Sequence, residues 1–368
     1  LSECFGRDAR PVCRRADQVR VRQLEGLAPR LAAFDRLCQD ARGPVGIAIS
    51  GGSDSLALLF IAHEWARSRG RKLAALTFDH RLRTAAAGEA ARVAAICRDL
   101  HIPHQTLRWD DPVNRQSSAR RARHAALALA LKAQGGTHLL TGHTANDQAE
   151  TFLIRARQGS GWYGLAGMQA LSMSPVWPEG EGVRIARPVL TEKREDLRSL
   201  LHARGQVWIE DPSNENLAYE RVRMRRLLAA SPEAAERISR CMRALAGLRA
   251  VEDRRLGRWL CDNVRVSESG EGIDTDLGSL SMDTAVRGLG LLIQAVTGRE
   301  TPPRRENTAN LAQRLRADVS FAGATLGGAK LVRKQGRVHL MPETGRDAPE
   351  TLVLRRIDGL RSLYAARA

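Results

Sequence analysis

Val45-Gly46-Ile47-Ala48-Ile49-Ser50-Gly51-Gly52-Ser53-Asp54-Ser55-Leu56-Ala57-Leu58-Leu59-Phe60-Ile61-Ala62 changes texture twice within a short span. Val45–Ser50 reads as a strand and Asp54–Ser68 as a helix, with two glycines and a set of hydroxyls at the turn between them. Glycine lets a backbone approach a ligand with no Cβ in the way. The serines and the free N–H groups of the following helix offer donors to an anion. The helix dipole contributes only about 0.3–1 kcal/mol, so affinity for a phosphate has to come from several directed hydrogen bonds. The loop lacks the lysine of G-x-x-x-x-G-K-[ST] and is not a Walker motif. A tight β–α turn explains the glycines, but not three hydroxyls and an acid around them.

The alternation continues outward from this loop. Lys72–Asp79, His104–Trp109 and His138–Thr141 read as strands. Helical patterns at Gly88–Leu100, Ser118–Gln134 and Ala145–Arg157 follow them in turn. This order predicts an α/β fold, a doubly wound parallel sheet with helices on both faces. The helix after the first strand is apolar almost all round, so deep burial is expected. A Gly-rich, irregular stretch, Gln158–Gly182, precedes a strand at Val183–Arg187, a helix at Glu192–Arg204 and a strand at Gln206–Glu210. Ser231-Pro232-Glu233 is a helix start, with a capping hydroxyl, proline in the first turn and an acid near the dipole's positive end. Behind it Ile238, Met242, Leu245, Leu248 and Val251 recur at three or four and predict one buried face. Helices at Ser281–Val296 and Arg304–Ala317 and a hairpin within Thr325–Met341 complete a mainly helical C-terminal part. The expected division is a basic N-terminal extension, 1–43 (with a helix near Pro29–Ala41), an α/β domain, 44–228, and a C-terminal domain, 229–368.

The chain has 368 residues and a net charge of +17, and only five of its 58 basic residues are lysine. Arginine's rigid fork matches phosphate oxygens, so a large polyanion is the natural partner, although a GC-rich genome also raises arginine. Hydrophobic residues make up 43%, which excludes wholesale disorder. The longest apolar runs, Leu56–Ala62 and Ala125–Leu131, fall far short of the roughly 20 residues of a spanning helix. The basic N-terminus has no apolar core after its arginines, which argues against a secretory signal and for a cytoplasmic protein. Cys4, Cys13, Cys38, Cys97, Cys241 and Cys261 contain no C-x-x-C pair, so isolated reduced thiols are expected.

Further groups fall at strand ends and helix starts. Phe78-Asp79-His80-Arg81-Leu82-Arg83 closes the second strand, at the carboxyl edge where doubly wound sheets bind ligands. Asp79 either caps the next turn or meets Mg²⁺ or a ribose. Ala119-Arg120-Arg121-Ala122-Arg123-His124 opens a helix, and its arginines are either solvated or contact phosphates. Thr141-Gly142-His143-Thr144-Ala145-Asn146-Asp147-Gln148-Ala149-Glu150-Thr151 follows the fourth strand. Here His143 is a turn histidine or a site group, and Asp147 and Glu150 share one helix face. Gly164-Leu165-Ala166-Gly167-Met168, Arg187-Pro188-Val189-Leu190, Glu210-Asp211-Pro212-Ser213-Asn214 and Arg221-Val222-Arg223-Met224-Arg225 come later. The last is either a basic linker or a polyanion contact.

Ser50–Ser55 resembles the S-G-G-x-D-S signature of ATP pyrophosphatases, and the ordered set of motifs over about residues 44–228 resembles the tRNA(Ile)-lysidine synthetase family. Members often carry Tyr where His124 stands and a second His where Thr144 stands. The resemblance implies an adenine nucleotide alpha hydrolase-like fold and the ATP-dependent ligation of free lysine to the wobble cytidine of tRNA(Ile). An adenylated cytidine is formed with release of pyrophosphate, and AMP then leaves. It implies ATP contacts at Ser50, Gly51, Gly52, Ser53, Asp54, Ser55, Asp79, His80, Arg120, Gly142 and His143, with Mg²⁺ on Asp54 or Asp79. It implies catalytic roles for Asp54, Asp147 and Glu150, the last two receiving the amino groups of lysine. tRNA contacts are expected at Arg123, Arg221, Arg223 and Arg225. The other readings are a tRNA thiolase of the same superfamily, against which the lack of paired cysteines speaks, and a noncatalytic basic RNA-binding protein.

Overall fold

The computed structural model describes residues 28–81, 86–109, 116–210, 215–267, 272–317, 320–343 and 350–365. Helix α1 spans 28–37. A six-stranded sheet follows, built from β1 (Val45–Ala48), β2 (Leu73–Asp79), β3 (His104–Arg108), β4 (His138–Leu140), β5 (Leu171–Met173) and β6 (Arg184–Ala186). Its order is β3-β2-β1-β4-β6-β5, parallel throughout except for β5, which runs antiparallel to β6. The helices of this part are α2 (Ser53–Arg69), α3 (Ala86–Asp99), α4 (Gln116–Ala133), α5 (Ala145–Arg157), α6 (Trp162–Leu165), α7 (Arg194–Ala203) and α8 (Glu220–Ala230).

Neighbouring strand residues point to opposite faces, and each face has its own core. Ala75, Leu140 and Ala186 lie in a core with α2, Val93 and Cys97 of α3 and Leu197 of α7. Their chain neighbours Leu76, Leu139 and Ile185 lie in another core with Leu127 and Leu131 of α4. The expected doubly wound sheet is therefore present. Leu56–Ala62 of α2 is buried all round, as its composition predicts. Phe34 of α1 closes this core against Trp65, with ring centroids 5.5 Å apart, so residues near 34–38 belong to it. The chain runs outward from β1 to β3 and returns to β4 on the other side of β1. The carboxyl ends of β1 and β4 thus flank the switch point where such sheets bind ligands.

Beyond α8 come α9 (Pro232–Asn263), β7 (Val264–Val266), β8 (Ile273–Thr275), α10 (Met282–Thr297), α11 (Arg305–Ala317), β9 (Ala324–Leu326), β10 (Ala329–Lys334), β11 (Arg337–Pro342) and α12 (Glu350–Ala365). The expected hairpin is β10–β11, and it forms part of an antiparallel sheet of order β7-β8-β11-β10-β9. Helices α9 to α11 pack on this sheet and α12 packs on α9 and α10, around Leu256, Leu289, Leu292 and Ile357. Ser231 precedes α9 without a side-chain capping bond, whereas Ser281 caps α10 by accepting from Thr284 N. The buried face of α9 departs from the apolar pattern. Met242 is buried, but Leu248 is 58% exposed and Val251 39%. Arg249 and Asp253 are buried instead, because they bond across to the first sheet's loops: Arg249 Nη1 donates to Gly167 O (2.8 Å), and Tyr163 Oη donates to Asp253 Oδ1 (2.7 Å). Residues 206–210, expected as a strand, join neither sheet and instead cross the Ser50–Ser55 loop. No helix among the described residues is long and apolar enough to cross a membrane.

Candidate functional site

The hydroxyls of the β1–α2 loop bond one another. Ser55 Oγ accepts from Ser50 N (3.2 Å) and donates to Gly52 O (3.0 Å), and Ser53 Oγ donates to Asp54 Oδ1 (3.2 Å). Glycine 52 sits at the N-cap of α2, so the helix's first N–H groups face the loop without a capping side chain. Gly51 has φ +82°, and a Cβ there would lie 2.4 Å from Ile209 Cδ1. Ile209 N donates to Gly51 O at 2.9 Å, which fixes the crossing segment on the loop. Gly142 serves a second close approach, since its Cβ would come within 3.0 Å of the Asp54 backbone. This contact brings Thr141–His143 onto the first turn of α2.

The acidic face of α5 meets the loop through an arginine that the motifs leave unmarked. Arg194 Nε donates to Asp54 Oδ2 at 2.8 Å, while its Nη2 lies 3.3 Å from Asp147 Oδ1 and its Nη1 3.8 Å from Glu150 Oε1. Asp147 also closes a capping box, its Oδ2 accepting from both N and Oγ1 of Thr144 at 2.9 Å. Thr144 therefore has a clear structural task in capping α5. Glu150 is 1% exposed; its Oε2 accepts from Arg221 Nε (2.9 Å) and its Oε1 from Arg225 Nε (2.8 Å). Burial alone would raise the Asp147 carboxyl, but Arg194, Arg221 and the Thr144 N–H outweigh it and hold it below its usual range.

Opposite these acids stands a flank of positive charge. Arg123 of α4 has no hydrogen-bond or ion-pair partner among the described residues, and burial together with Arg120 and Arg221 lowers its pKa. His143 shares a hydrogen bond with Thr141 Oγ1 (3.0 Å), and burial, then Arg187, pushes its pKa down to about 3. His124 is pushed down to about 3 by burial, then by Arg123 and Arg120. Both rings are neutral at pH 7. For such a base the unfolded chain takes up a proton near pH 6.5 and the folded chain does not, so stability falls as pH drops from there. That shift predicts about 2 kcal/mol of stability lost between pH 7 and pH 5 through His124. Urea unfolding at the two pH values should show a pH-induced loss smaller by about that amount in His124→Gln. An unchanged difference would mean that His124 titrates normally in the folded chain.

Asp79 and His80 form a separate group at the end of β2. Asp79 Oδ1 accepts from Arg81 N at 2.8 Å and so orders a turn in which Arg81 has φ 52°. The His80 ring stands edge-on to Phe78 at 4.7 Å and to Trp109 at 6.2 Å. The adjoining residues 82–85, and Asp211–Asn214 of the later motif, lie outside the described residues. Among the described residues no cluster of three or more metal-ligating side chains occurs.

The structure brings Asp54, Asp147, Glu150, Arg221 and Arg225 into one lattice, with Gly142 against Asp54. Arg223 does not join it, because its Nη1 donates to the carbonyls of Leu217 (2.7 Å) and Ala218 (2.9 Å). Arg120 faces the lattice only through its charge beside Arg221. Two arginines went unmarked: Arg194, and Arg198, which stacks over Trp208 at 5.6 Å beside Ser53. Arg194 opens α7, where the helix dipole disfavours a cation. A basic residue at that end needs a carboxylate from elsewhere, which is the one local signal of its role. The buried Cys38 and Cys97 thiols are pushed up by burial to about 12 and about 11, so both are inert.

The sequence profile of the PP-loop domain family matches residues 28–231. The chain is 50% identical to the tRNA(Ile)-lysidine synthase of Hyphomonas neptunium over 334 residues, covering 89% of this chain and 90% of that protein. It is 34% identical to the enzyme of the same name from Caulobacter vibrioides, over 83% of this chain and 68% of that one. A 34% identity also links it to the one from Bradyrhizobium sp., over 78% and 82%. Among solved structures, U34-tRNA thiolase NcsA from Methanococcus maripaludis aligns with a TM-score of 0.47 at 15% identity, over 60% of this chain and 78% of that one. With a phosphate-type loop at the switch point and identity to these synthases along most of its length, the chain belongs to the tRNA(Ile)-lysidine synthase family.

Proposed function

We propose that this protein uses ATP to join free lysine to the wobble cytidine of tRNA(Ile) bearing a CAU anticodon. The observation that carries the site assignment is the Arg194 bridge, which sets the loop acid Asp54 one guanidinium away from Asp147 and Glu150. A nucleotide phosphate on the loop and an amine at the acids then fall within the reach of one reacting base. In the first step the cytosine O2 attacks the α-phosphorus of ATP and pyrophosphate leaves. In the second the lysine amine attacks ring carbon 2, and the O2–carbon bond breaks as AMP departs. Adenylation turns a poor leaving oxygen into a good one, so the substrate is activated without a nucleophilic side chain.

The loop N–H groups and hydroxyls receive phosphate oxygens, with Arg120, Arg123 and neutral His143 grouped beside Arg221 as further donors. Asp147 Oδ1 has the loosest contacts of the lattice, 3.3 Å to Arg194 and 4.0 Å to Arg221, and it takes the lysine ammonium. Its depressed pKa suits holding a cation better than accepting a proton. Glu150, with both oxygens bonded to arginine, sets the position of Arg221 and Arg225. The remaining N–H groups of those arginines, with Arg123 and the C-terminal residues 229–368, are the contacts for tRNA. Mg²⁺ requires one or two carboxylates at a nucleotide site. Asp54 spends one oxygen on Ser53 and the other on Arg194, whereas Asp79 has only Oδ1 engaged among the described residues, so Asp79 fits the ion better. When bound, the ion neutralises charge on the phosphates. A cytoplasmic setting supplies all three substrates.

ATP labelled on its α-phosphate, given with tRNA but no lysine, should transfer label to the tRNA, and added lysine should release it as AMP. Label that never reaches tRNA would contradict the two-step order. Asp147→Asn should raise the lysine KM about 10- to 150-fold, the loss of one charge-assisted contact, with label transfer little changed. A rise in the ATP KM instead would assign Asp147 to the nucleotide.

A further inference from the structure

Where the loop between α6 and β6 faces α10 and α12 lies a cleft of about 750 Å³. Its lining is mostly apolar, with Trp177 and Tyr163 among the walls. Each of these rings already carries a guanidinium: Arg356 lies 4.3 Å from the Trp177 centroid and Arg287 3.2 Å from that of Tyr163. The Arg287 Nη2 is held by Asp253 at 3.0 Å, but its Nη1 is buried with no hydrogen-bond partner among the described residues. Most other charges around the cleft cancel in pairs. Glu300 shares Arg121 (2.7 Å) with Glu179, Asp358 is bonded to Arg361 (3.2 Å) and Asp283 to Arg305, and Glu181 stands 3.8 Å from Arg355. Two cations remain. Among the described residues Arg356 donates only to the Ala295 carbonyl, and the exposed Arg299 guanidinium has no partner.

We propose that this cleft holds one unpaired nucleotide of the tRNA, away from the wobble base that reacts. The inference rests on the tRNA reading above. A nucleotide in a strand combines a flat apolar base with one phosphodiester on each side. The hollow suits the base, and Arg299 and Arg356 match the two phosphate charges. The free Nη1 of Arg287 offers a buried donor to a carbonyl oxygen or ring nitrogen on the base edge. The volume is ample for one nucleotide and far too small for a duplex. Occupancy would lock the first sheet's loops to α10 and α12, so tRNA held here would join the two parts of the chain.

Two variants test this outside the reaction site. Gly290 lines the hollow, and a Cβ there meets only Pro302, at 3.7 Å, so Gly290→Met fills the space without a backbone clash. Arg299→Ala removes an exposed, unpaired charge and leaves the fold untouched. Titration with tRNA transcript over a range of salt, with chemical probing of the bound tRNA at nucleotide resolution, reads both. Gly290→Met should weaken binding about 5- to 150-fold and re-expose one unpaired nucleotide that the wild type protects. Arg299→Ala should lower the log–log salt slope by about 0.7–0.9. Wild-type affinity, slope and protection in both variants would overturn the proposal, provided the wild-type protein modifies the same tRNA. If the wild-type protein does not bind or modify tRNA, the tRNA reading fails and this proposal with it.

Discussion

Arg194→Ala should reduce product formation by about 10²- to 10⁴-fold. Arg194 makes one tight bond to Asp54 and a second contact to Asp147. Charge-assisted bonds of this kind contribute about 1.5–3 kcal/mol each. Their loss also leaves Asp54, Asp147 and Glu150 facing one another without the cation that separates them, and like charges at that range repel. The defect should fall on both steps, because the arginine joins the phosphate loop to the acids. Single-turnover assays of pyrophosphate and AMP release give the two steps separately. Arg194→Lys keeps the charge but loses the fork that reaches two carboxylates, so it should recover only part of the rate. Near-normal turnover by Arg194→Ala would show that the bridge is incidental.

Glu150→Ala should cost the fold about 1–3 kcal/mol, the loss of hydrogen bonds from a buried carboxylate to arginines that keep about a third or more of their surface in water. Glu150 is the most deeply buried carboxylate of the lattice, and Arg221 and Arg225 both direct Nε at it. Without it Arg225 loses its carboxylate and Arg221, beside Arg120, keeps only that of Asp147, at 4.0 Å, among the described residues. Glu150→Gln keeps an acceptor and should cost less. The midpoint of urea unfolding measures both variants. Wild-type stability in Glu150→Ala would contradict the ion-pair lattice, and a loss of lysine dependence with no loss of stability would make Glu150 a pure substrate ligand.

The first sheet was legible because its information is local. β1, the Ser50–Ser55 turn and α2 follow one another directly, and the alternation of strand and helix dictates a parallel order. Asp147 and Glu150 could be placed on one face from their spacing alone. Arg194 could not, since its partners lie 140 and 47 positions away and its neighbours Lys193, Glu195 and Asp196 read as an ordinary charged surface. The same distance hid the fate of residues 206–210, whose β-type composition serves one backbone bond to Gly51 rather than a ladder. β5 has three residues and α8 is rich in arginine, so neither carries a readable period. In α9 the apolar period was plain but pointed to the wrong positions, because Leu248 and Val251 are exposed while Arg249 and Asp253 are buried through polar bonds to the first part of the chain.

The wobble nucleoside itself is the most direct witness. Incubation of the protein with ATP, lysine and a tRNA(Ile) transcript carrying a CAU anticodon, followed by digestion and mass analysis, reads it in one measurement. The expected result is a cytidine enlarged by one lysine joined with loss of water, with AMP and pyrophosphate formed in equal amounts. An unmodified cytidine, or one that has exchanged oxygen for sulfur, would contradict the proposed reaction.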